Sequence, residues 1–188
     1  MPGQFPLVGT MAALQEEHFQ GEDMPTIDPT LRPGKVTKWG EWVKSKPLVV
    51  NGVETRWRIL GKYDLVSTND DGTIGLIDCK VSDSQRDSGQ FYSPQLEAYA
   101  YSLENPAAGK SQTVASIGLL VWKPTTAIGT SPADYGFGVF QKYVPVERDQ
   151  ANFLKVIGEF IDVLEGELPE PGSECQTCNY LKVRNALD

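Results

Sequence analysis

The 188-residue chain has few residues of the kinds on which several familiar sites depend. It contains one histidine, His18, which excludes zinc motifs that need two histidines. Its three cysteines are an odd number, so they do not form the paired framework of a small secreted domain. No Gly-x-Ser-x-Gly sequence is present, and a serine hydrolase built on that turn is therefore unsupported.

Long apolar runs are also lacking. The best candidate, residues 117–122, has the length of a strand, whereas a membrane helix needs roughly 20 apolar residues. The first residues carry no basic stretch ahead of an apolar one, so no signal peptide is expected. We therefore expect a cytoplasmic protein without a membrane partner.

Positive charge is scarce overall but locally concentrated. The chain has 17 basic and 25 acidic residues, which disfavours a generally basic nucleic-acid coat protein. Residues 32–62 nevertheless hold eight of the basic residues and only two acidic ones. With three interleaved tryptophans, this segment either follows a phosphate backbone or forms solvated faces around a core. The candidate DNA-binding side chains are Lys38, Lys44, Lys46, Arg56, Arg58 and Lys62.

The apolar pattern predicts one α/β domain over residues 1–188, with its core at about 49–146 and a helix and cysteine-pair tail over 147–188. Helices are expected at about 6–20, 36–44, 94–105 and 148–167. Strands are expected at about 54–66, 73–81, 116–123 and 136–146. Residues 69–72 form the turn between the first two strands.

Two acidic residues and a lysine lie on this central hairpin. Residues two apart in a strand share a face, so Asp78 and Lys80 point one way and Cys79 points the other. Pairing around the turn brings Asp64 near Asp78. Two converging carboxylates suit Mg2+ or Mn2+, and the backbone carbonyl of Cys79 could supply another oxygen. A lysine there could orient the attacking water and steady a phosphate.

Three short motifs occur in order: GKYD at 61–64, IDCK at 77–80 and QLEAY at 95–99. Together they resemble the core of PD-(D/E)XK nucleases, most closely the RecB-type branch that includes CRISPR-associated RecB-like exonucleases. The resemblance covers about residues 49–125. It implies a restriction-endonuclease-like fold, which is a central mixed β-sheet flanked by helices. It also implies metal-dependent hydrolysis of DNA phosphodiester bonds.

The resemblance further implies roles for particular residues. Asp64 and Asp78 would bind the metal ion, Lys80 would be catalytic, and Gln95 and Tyr99 would border the active site. Each residue also has an ordinary structural interpretation. Asp78 and Lys80 could form a strand ion pair, and Asp64 could be a strand-end acid. Gln95 could be a polar residue of a first helical turn, and Tyr99 could serve packing alone.

Relatives place an additional acid or histidine on the first helix. Glu17 and His18 are the candidate metal ligands here, and Glu41 is a third. His18 lies on the apolar stripe of the predicted helix, so it could equally be a core histidine that bonds a backbone carbonyl. Glu17 could equally be an exposed helix acid.

Many RecB-type relatives also hold an iron–sulfur cluster through one upstream cysteine and a C-terminal C-x2-C-x5-C. Cys175 and Cys178 fit the first two positions of that motif, but Arg184 stands at the third and no cysteine precedes Cys79. Two thiolates cannot hold a four-ligand cluster, so we expect none in this chain. The pair is then a remnant, a labile disulfide or half of an intermolecular site.

Two functional hypotheses follow. The first is an exonuclease-like, Mg2+- or Mn2+-dependent deoxyribonuclease that acts in DNA repair, recombination or phage or CRISPR processing. Its partners would be single- or double-stranded DNA and, for example, a helicase or another nuclease-complex subunit. The second is a catalytically inactive nuclease-fold module that binds nucleic acid or protein.

Overall fold

A computed structural model describes residues 6–82, 89–131 and 133–186. The helices are α1 (Pro6–His18), α2 (Met24–Ile27), α3 (Gly89–Glu104), α4 (Gln150–Glu165) and α5 (Gln176–Asn185). The first strands are β1 (Gly34–Trp39), β2 (Trp42–Lys44), β3 (Val49–Val50), β4 (Val53–Glu54) and β5 (Leu60–Lys62). The remaining strands are β6 (Leu65–Asn69), β7 (Ile74–Val81), β8 (Val114–Ser131) and β9 (Asp134–Val146).

The described residues form a central mixed sheet with the strand order β1-β6-β7-β8-β9. Strand β7 pairs antiparallel with β6 and parallel with β8, and every residue from Ile74 to Cys79 is buried. Such a continuous buried run is typical of a strand that is covered on both faces. Two smaller sheets pair β2 with β5 and β3 with β4. The expected mixed sheet flanked by helices is confirmed.

Different helices cover the two faces of the sheet. On one face, Leu96 and Ala100 of α3 pack against Leu76 and Leu119. On the other face, Phe19, next to α1, and Met24 and Ile27 of α2 pack in one cluster with Cys79. Each fully buried aliphatic side chain contributes about 1.5–3 kcal/mol, so these two layers hold β7 from both sides.

A buried ion network joins α4 to α3. The guanidinium of Arg148 donates to Glu97 at 3.0 Å and to Glu104 at 3.1 Å, and it also donates to the carbonyl of Val114 at 2.9 Å. Glu97 is only 1% exposed. Its carboxylate also accepts the backbone N–H of Asp149, the residue that caps α4. The network therefore fixes where α4 begins.

The central hairpin is confirmed, but two predictions beside it are wrong. The helix expected at 36–44 is replaced by β1 and β2, because Gly40, at φ 57°, turns the chain between two strands with alternating burial. The continuous strand expected over 54–66 is split into β4, β5 and β6. Residues 55–59 belong to no strand, and Tyr63 and Asp64 separate β5 from β6.

Helix boundaries also differ from the prediction. Helix α3 begins at Gly89, so Pro94 lies inside it rather than at its start. Pro94 is the sixth residue of α3, so the helix lacks the N–H that would otherwise bond the carbonyl of Gln90. Helix α5 was not expected from its polar sequence. No helix in the described ranges is both long and apolar enough to cross a membrane.

The hairpin of β8 and β9 is longer than the sequence predicted. Pairing between β7 and β8 ends at Val81 and Trp122, whereas β8 continues to Ser131. Among the described residues, the outer part of this hairpin pairs only with itself. We call residues 123–131 and 134–140 the arm. It leaves the sheet at the end of β7 where Lys80 lies.

Candidate active site

The end of β7 places two carboxylates and a lysine together. Leu65 pairs with Ile77, so Asp64, immediately before β6, lies beside Asp78. The carboxylate of Asp64 accepts the backbone N–H of Cys79 at 2.6 Å. Asp78 is 2% exposed, and its Oδ2 lies 2.5 Å from Nζ of Lys80 without a well-formed hydrogen bond. The hairpin register predicted from sequence therefore brings these groups to one point.

Burial raises the pKa of both aspartates. Burial, followed by the charge of Asp78, raises the pKa of Asp64 to about 7. Burial also raises the pKa of Asp78, against the opposing charge of Lys80. Burial lowers the pKa of Lys80, but Asp78, Asp64 and Tyr92 together raise it further, so it is raised overall. Lys80 is therefore a charged hydrogen-bond donor beside the two carboxylates.

Helix α3 adds a polar contact from the side. The side-chain amide of Gln95 donates to Asp78 Oδ1 and contacts the Tyr99 hydroxyl, each at 3.0 Å. Gln95 and Tyr99 are one helical turn apart, which is why their side chains meet beside Asp78. The predicted pair therefore lies in the cluster.

The sequence interpretation missed Tyr92. Its ring faces Nζ of Lys80 at 4.7 Å from the ring centre, which is a cation–π contact. Tyr92 precedes Gln95 by three residues and Tyr99 by seven. The signal that could have identified it is therefore the helical repeat of polar aromatic residues on one face of α3.

Helix α1 contributes Glu16. Burial raises the pKa of this carboxyl, Lys62 lowers it, and Asp78 raises it further. The charge of Glu16 in turn raises the pKa of Asp64. A side chain built at Gly40 would approach Glu16 Oε2 at 3.2 Å and Lys62 Nζ at 3.4 Å. Glu16 and Lys62 therefore stand side by side at the edge of the acidic cluster.

The other upstream candidates lie elsewhere. Glu17 is exposed, and the ring of His18 meets those of Phe19 and Trp122 edge-on at 4.8 and 5.7 Å. Glu41 accepts the hydroxyl of Tyr63 at 2.8 Å. The apolar stripe of the sequence does not give the rotation of α1 correctly, since Leu14, four residues before His18 on that stripe, is 55% exposed. The buried Gln15, which donates to a β8 carbonyl, sets that rotation.

The predicted basic residues do not all lie together. Lys62 pairs opposite Trp42 in the small sheet, and Lys44 lies on the same exposed face. Arg56 instead forms an ion pair with Glu165 at 3.0 Å. The remaining candidates are Arg58, which donates to the carbonyl of Ser45, the half-buried Lys38 of β1, and the exposed Lys46.

The donor set fits a small divalent cation. Within the described residues, no group of three or more histidine, cysteine, aspartate or glutamate side chains is arranged to hold a metal ion. Asp64 and Asp78 offer two adjacent carboxylates whose pKa values burial raises, and a cation between them would favour their charged forms. Mg2+ uses one or two carboxylates and keeps several waters, so two protein carboxylates suffice.

The cysteine pair lies apart from this cluster. Cys175 caps α5, and its sulfur accepts the backbone N–H of Cys178 at 3.5 Å. This hydrogen bond holds the pKa of the Cys175 thiol below its usual value. Both thiols are free, whereas Cys79 is buried on the face of the sheet opposite Asp78.

Comparison with known proteins identifies one family. The family model of the PD-(D/E)XK nuclease superfamily matches residues 13–183. A search of curated proteins finds no match. One similar solved structure is the crystal structure of SSO0001, which has 13% sequence identity and a TM-score of 0.48. The similarity covers 94% of this chain and 68% of that one.

Proposed function

The chain belongs to the PD-(D/E)XK nuclease superfamily, and from that premise we propose that it is an active, divalent-metal-dependent deoxyribonuclease. The observation that carries the proposal is the contact set around Asp78. Lys80, Gln95 and Asp64 converge on this buried carboxylate from three different elements. A strand ion pair alone needs neither the amide from α3 nor a second carboxylate.

Each side chain has a distinct role in the proposed reaction. Asp64 and Asp78 would hold Mg2+ or Mn2+, which when bound polarises the scissile phosphate and lowers the pKa of a bound water. Lys80 would orient the attacking water and donate to a phosphate oxygen. Gln95 would keep Asp78 aligned, and Tyr99 would keep Gln95 aligned. Tyr92 would hold the Lys80 ammonium in place through its ring.

Additional oxygen donors are available beside this pair. Glu16 is the α1 carboxylate that interacts with both aspartates, and we favour it over Glu17 and His18 as the upstream ligand. The N–H of Cys79 faces Asp64, and the N–H and C=O of a strand residue point to the same neighbouring strand. The Cys79 carbonyl is therefore also directed toward the proposed cation.

DNA would reach the cluster over the small sheet of β2 and β5. Its outer face carries the exposed Trp42 together with Lys44 and Lys62, whereas Gly61 faces α3. Basic side chains beside an exposed aromatic ring are typical of surfaces that follow a nucleic-acid backbone. Lys62 extends this surface to Glu16, so the basic face ends at the acidic cluster.

The exonuclease-like mode, the role in repair, recombination or phage or CRISPR processing, and a helicase-type partner rest on the RecB-type motif order alone. A catalytically inactive binding module is the second candidate. One observation favours the binding module. Arg56 contacts Glu165 and Arg58 contacts the Ser45 carbonyl, so fewer basic side chains are left to hold DNA at the acidic cluster.

The experiment is Mn2+-dependent digestion of end-labelled single- and double-stranded DNA. Lys80→Ala and Asp78→Asn are compared with the wild type, and Lys110→Ala, on an exposed loop, is the matched control. We expect the two site variants to lose about 100-fold or more in rate, since each removes a group from the charged cluster. We expect the control to cleave like the wild type.

The pattern of products would then show whether ends or internal bonds are cut. Retained Mn2+-dependent cleavage in Lys80→Ala and Asp78→Asn would overturn the assignment. If the wild type binds DNA but neither cuts it nor binds Mn2+ by calorimetry, the binding-module candidate replaces the enzyme.

A further inference from the structure

The face of the sheet that carries Lys80 continues onto the β8–β9 hairpin. Lys80 pairs with Val121, and Val121 pairs with Lys142. Directly paired residues share a face, so Lys80 and Lys142 point the same way with their Cα atoms about 10 Å apart, which is two strand spacings. Lys142 therefore stands in the same row of the sheet as Lys80.

The next row outward has the same orientation. Lys123 lies two residues beyond Val121 and pairs with Phe140. Residues two apart in a strand share a face and are separated by about 7 Å, so this row begins the arm beside the proposed active site. Lys123 and Phe140 lie at the base of the arm, and Lys142 lies next to it in the row of Lys80; we call these three residues the arm face.

The side chains of the arm face are available to a ligand. Phe140 is 59% exposed and Lys142 is exposed, while Lys123 is half-buried. Within the described ranges, neither lysine takes part in an ion pair.

The charge of this hairpin is opposite to that of the chain. The whole chain carries a net charge of -8. In β8 and β9 the charged residues are Lys123, Lys142 and Asp134. An anionic ligand would thus meet locally positive potential here although the protein as a whole is acidic.

Two lysines around an exposed aromatic ring favour a particular ligand. Ammonium groups pair with phosphates, and an exposed ring stacks on an unpaired base, which is how proteins hold single-stranded DNA without reading its sequence. In a duplex the bases are already stacked, so the ring of Phe140 would find no comparable partner. An acidic protein segment would satisfy the lysines but would leave the ring without a planar partner.

We propose that the arm face binds the single-stranded part of a DNA substrate next to the bond that is cut. This inference rests on the proposed nuclease function and adds the substrate form to it. The row Lys80–Val121–Lys142 is the path along which the strand leaves the cluster. Lys123 and Lys142 hold its phosphates, and Phe140 stacks on a base.

The test compares variants for binding of a 5′-labelled 20-nucleotide DNA strand in EDTA, where cleavage is absent. We expect Phe140→Ala to weaken binding about five- to hundredfold through loss of one stacked base. For Lys123→Ala/Lys142→Ala, we expect the slope of log affinity against log salt to fall by about 1.4, since two phosphate contacts are lost.

Matched controls exist elsewhere on the surface. Phe160→Ala removes a ring of nearly equal exposure, 60%, from α4. Lys110→Ala/Lys155→Ala removes the same charge from two other exposed positions. These controls should bind like the wild type. In Mn2+ at saturating substrate, the arm-face variants should keep kcat within about threefold and raise KM, as loss of uniform binding does.

The outcomes separate the two claims. If the wild type cuts DNA but the arm-face variants bind like it, or lose no more affinity than the controls, the arm proposal alone is overturned. If a duplex of the same sequence binds as tightly and loses as much in Phe140→Ala, the single-strand assignment is overturned. If the wild type neither binds nor cuts DNA, both the arm proposal and the nuclease assignment fail.

Discussion

The ring of Tyr99 lies directly on the backbone of Gly61. A Cβ atom built at residue 61 would lie 2.6 Å from Cε1 of that ring, closer than carbon atoms approach in proteins. The same tyrosine contacts Gln95, which donates to Asp78. The glycine of the GKYD motif and the tyrosine of the QLEAY motif are therefore two sides of one contact.

Gly61→Ala should displace Tyr99 and lower activity. The added methyl group has no space unless the ring moves, and such overpacking costs about 1–3 kcal/mol of folding free energy. We expect cleavage to fall about tenfold or more, because Gln95 loses its alignment on Asp78. Urea unfolding and the Mn2+-dependent cleavage rate measure the two effects.

A double-mutant cycle checks the cause. In a Tyr99→Ala background the added methyl group meets open space, so Gly61→Ala should cost little further stability. Gly9→Ala, where no atom lies within 4 Å of the added carbon, is the control and should not weaken cleavage. Equal losses from Gly61→Ala with and without Tyr99 would contradict the explanation.

Asp64 should make the metal-free protein less stable as the pH rises. Its pKa is about 7 in the folded chain, above its ordinary value of 3.8, so the folded state holds this proton more tightly than the unfolded state. Stability therefore falls between about pH 4 and 7. Asp64→Asn removes this loss and should raise stability at pH 8 by on the order of 1–3 kcal/mol.

Urea unfolding in EDTA at several pH values between 4 and 8 would measure this effect. The exposed turn variant Asp70→Asn is the control and should keep the pH slope of the wild type. If Asp64→Asn keeps that slope as well, the assignment of the raised pKa to Asp64 is wrong. Saturating Mn2+ should stabilise the wild type and not Asp64→Asn, since binding to the folded state adds to its stability.

Glu16→Gln and Glu17→Gln should separate two adjacent acids on α1. We expect Glu16→Gln to weaken Mn2+ binding and activity about 10- to 100-fold, because Glu16 interacts with both aspartates. Glu17 is exposed, so its isosteric variant should match the wild type. Titration calorimetry with Mn2+ and the cleavage rate give the comparison. The reverse result would favour Glu17 as the ligand.

Arg148→Met should lower stability by about 3–5 kcal/mol, because it leaves the carboxylate of Glu97 buried without its cation. The loss is measured by urea unfolding. Adding Glu97→Gln to Arg148→Met removes the uncompensated charge and should recover part of the lost stability. Arg148→Met alone should still cleave DNA at low temperature, since the network lies outside the acidic cluster. A loss below about 1 kcal/mol would show that water replaces the guanidinium.

The sequence predicted the centre of the fold well and its margins poorly. Alternating apolar residues and the turn at 69–72 defined the central hairpin and therefore the approach of Asp64 to Asp78. The spacing of Gln95 and Tyr99 defined a helical face. These features depend on local periodicity, which the sequence carries directly.

The rest depends on contacts between distant segments. Nothing local distinguishes Glu16 from Glu17, because the rotation of α1 is set by the hydrogen bond from Gln15 to Leu120. The strand at Gly34–Trp39 forms because it pairs with β6, whereas its own residues also fit a helical pattern. The length of β8 likewise depends on β9, its partner from later in the chain.

The position of β7 has a consequence for motion. Its amides are bonded to β6 on one side and β8 on the other, and its residues are buried through Cys79. Hydrogen exchange in such a strand requires opening with nearly the full free energy of unfolding, whereas exposed hairpin ends open far more often. Asp78 is therefore anchored to the slowest-exchanging part of the molecule, while Phe140, on the arm, belongs to a fast-exchanging part.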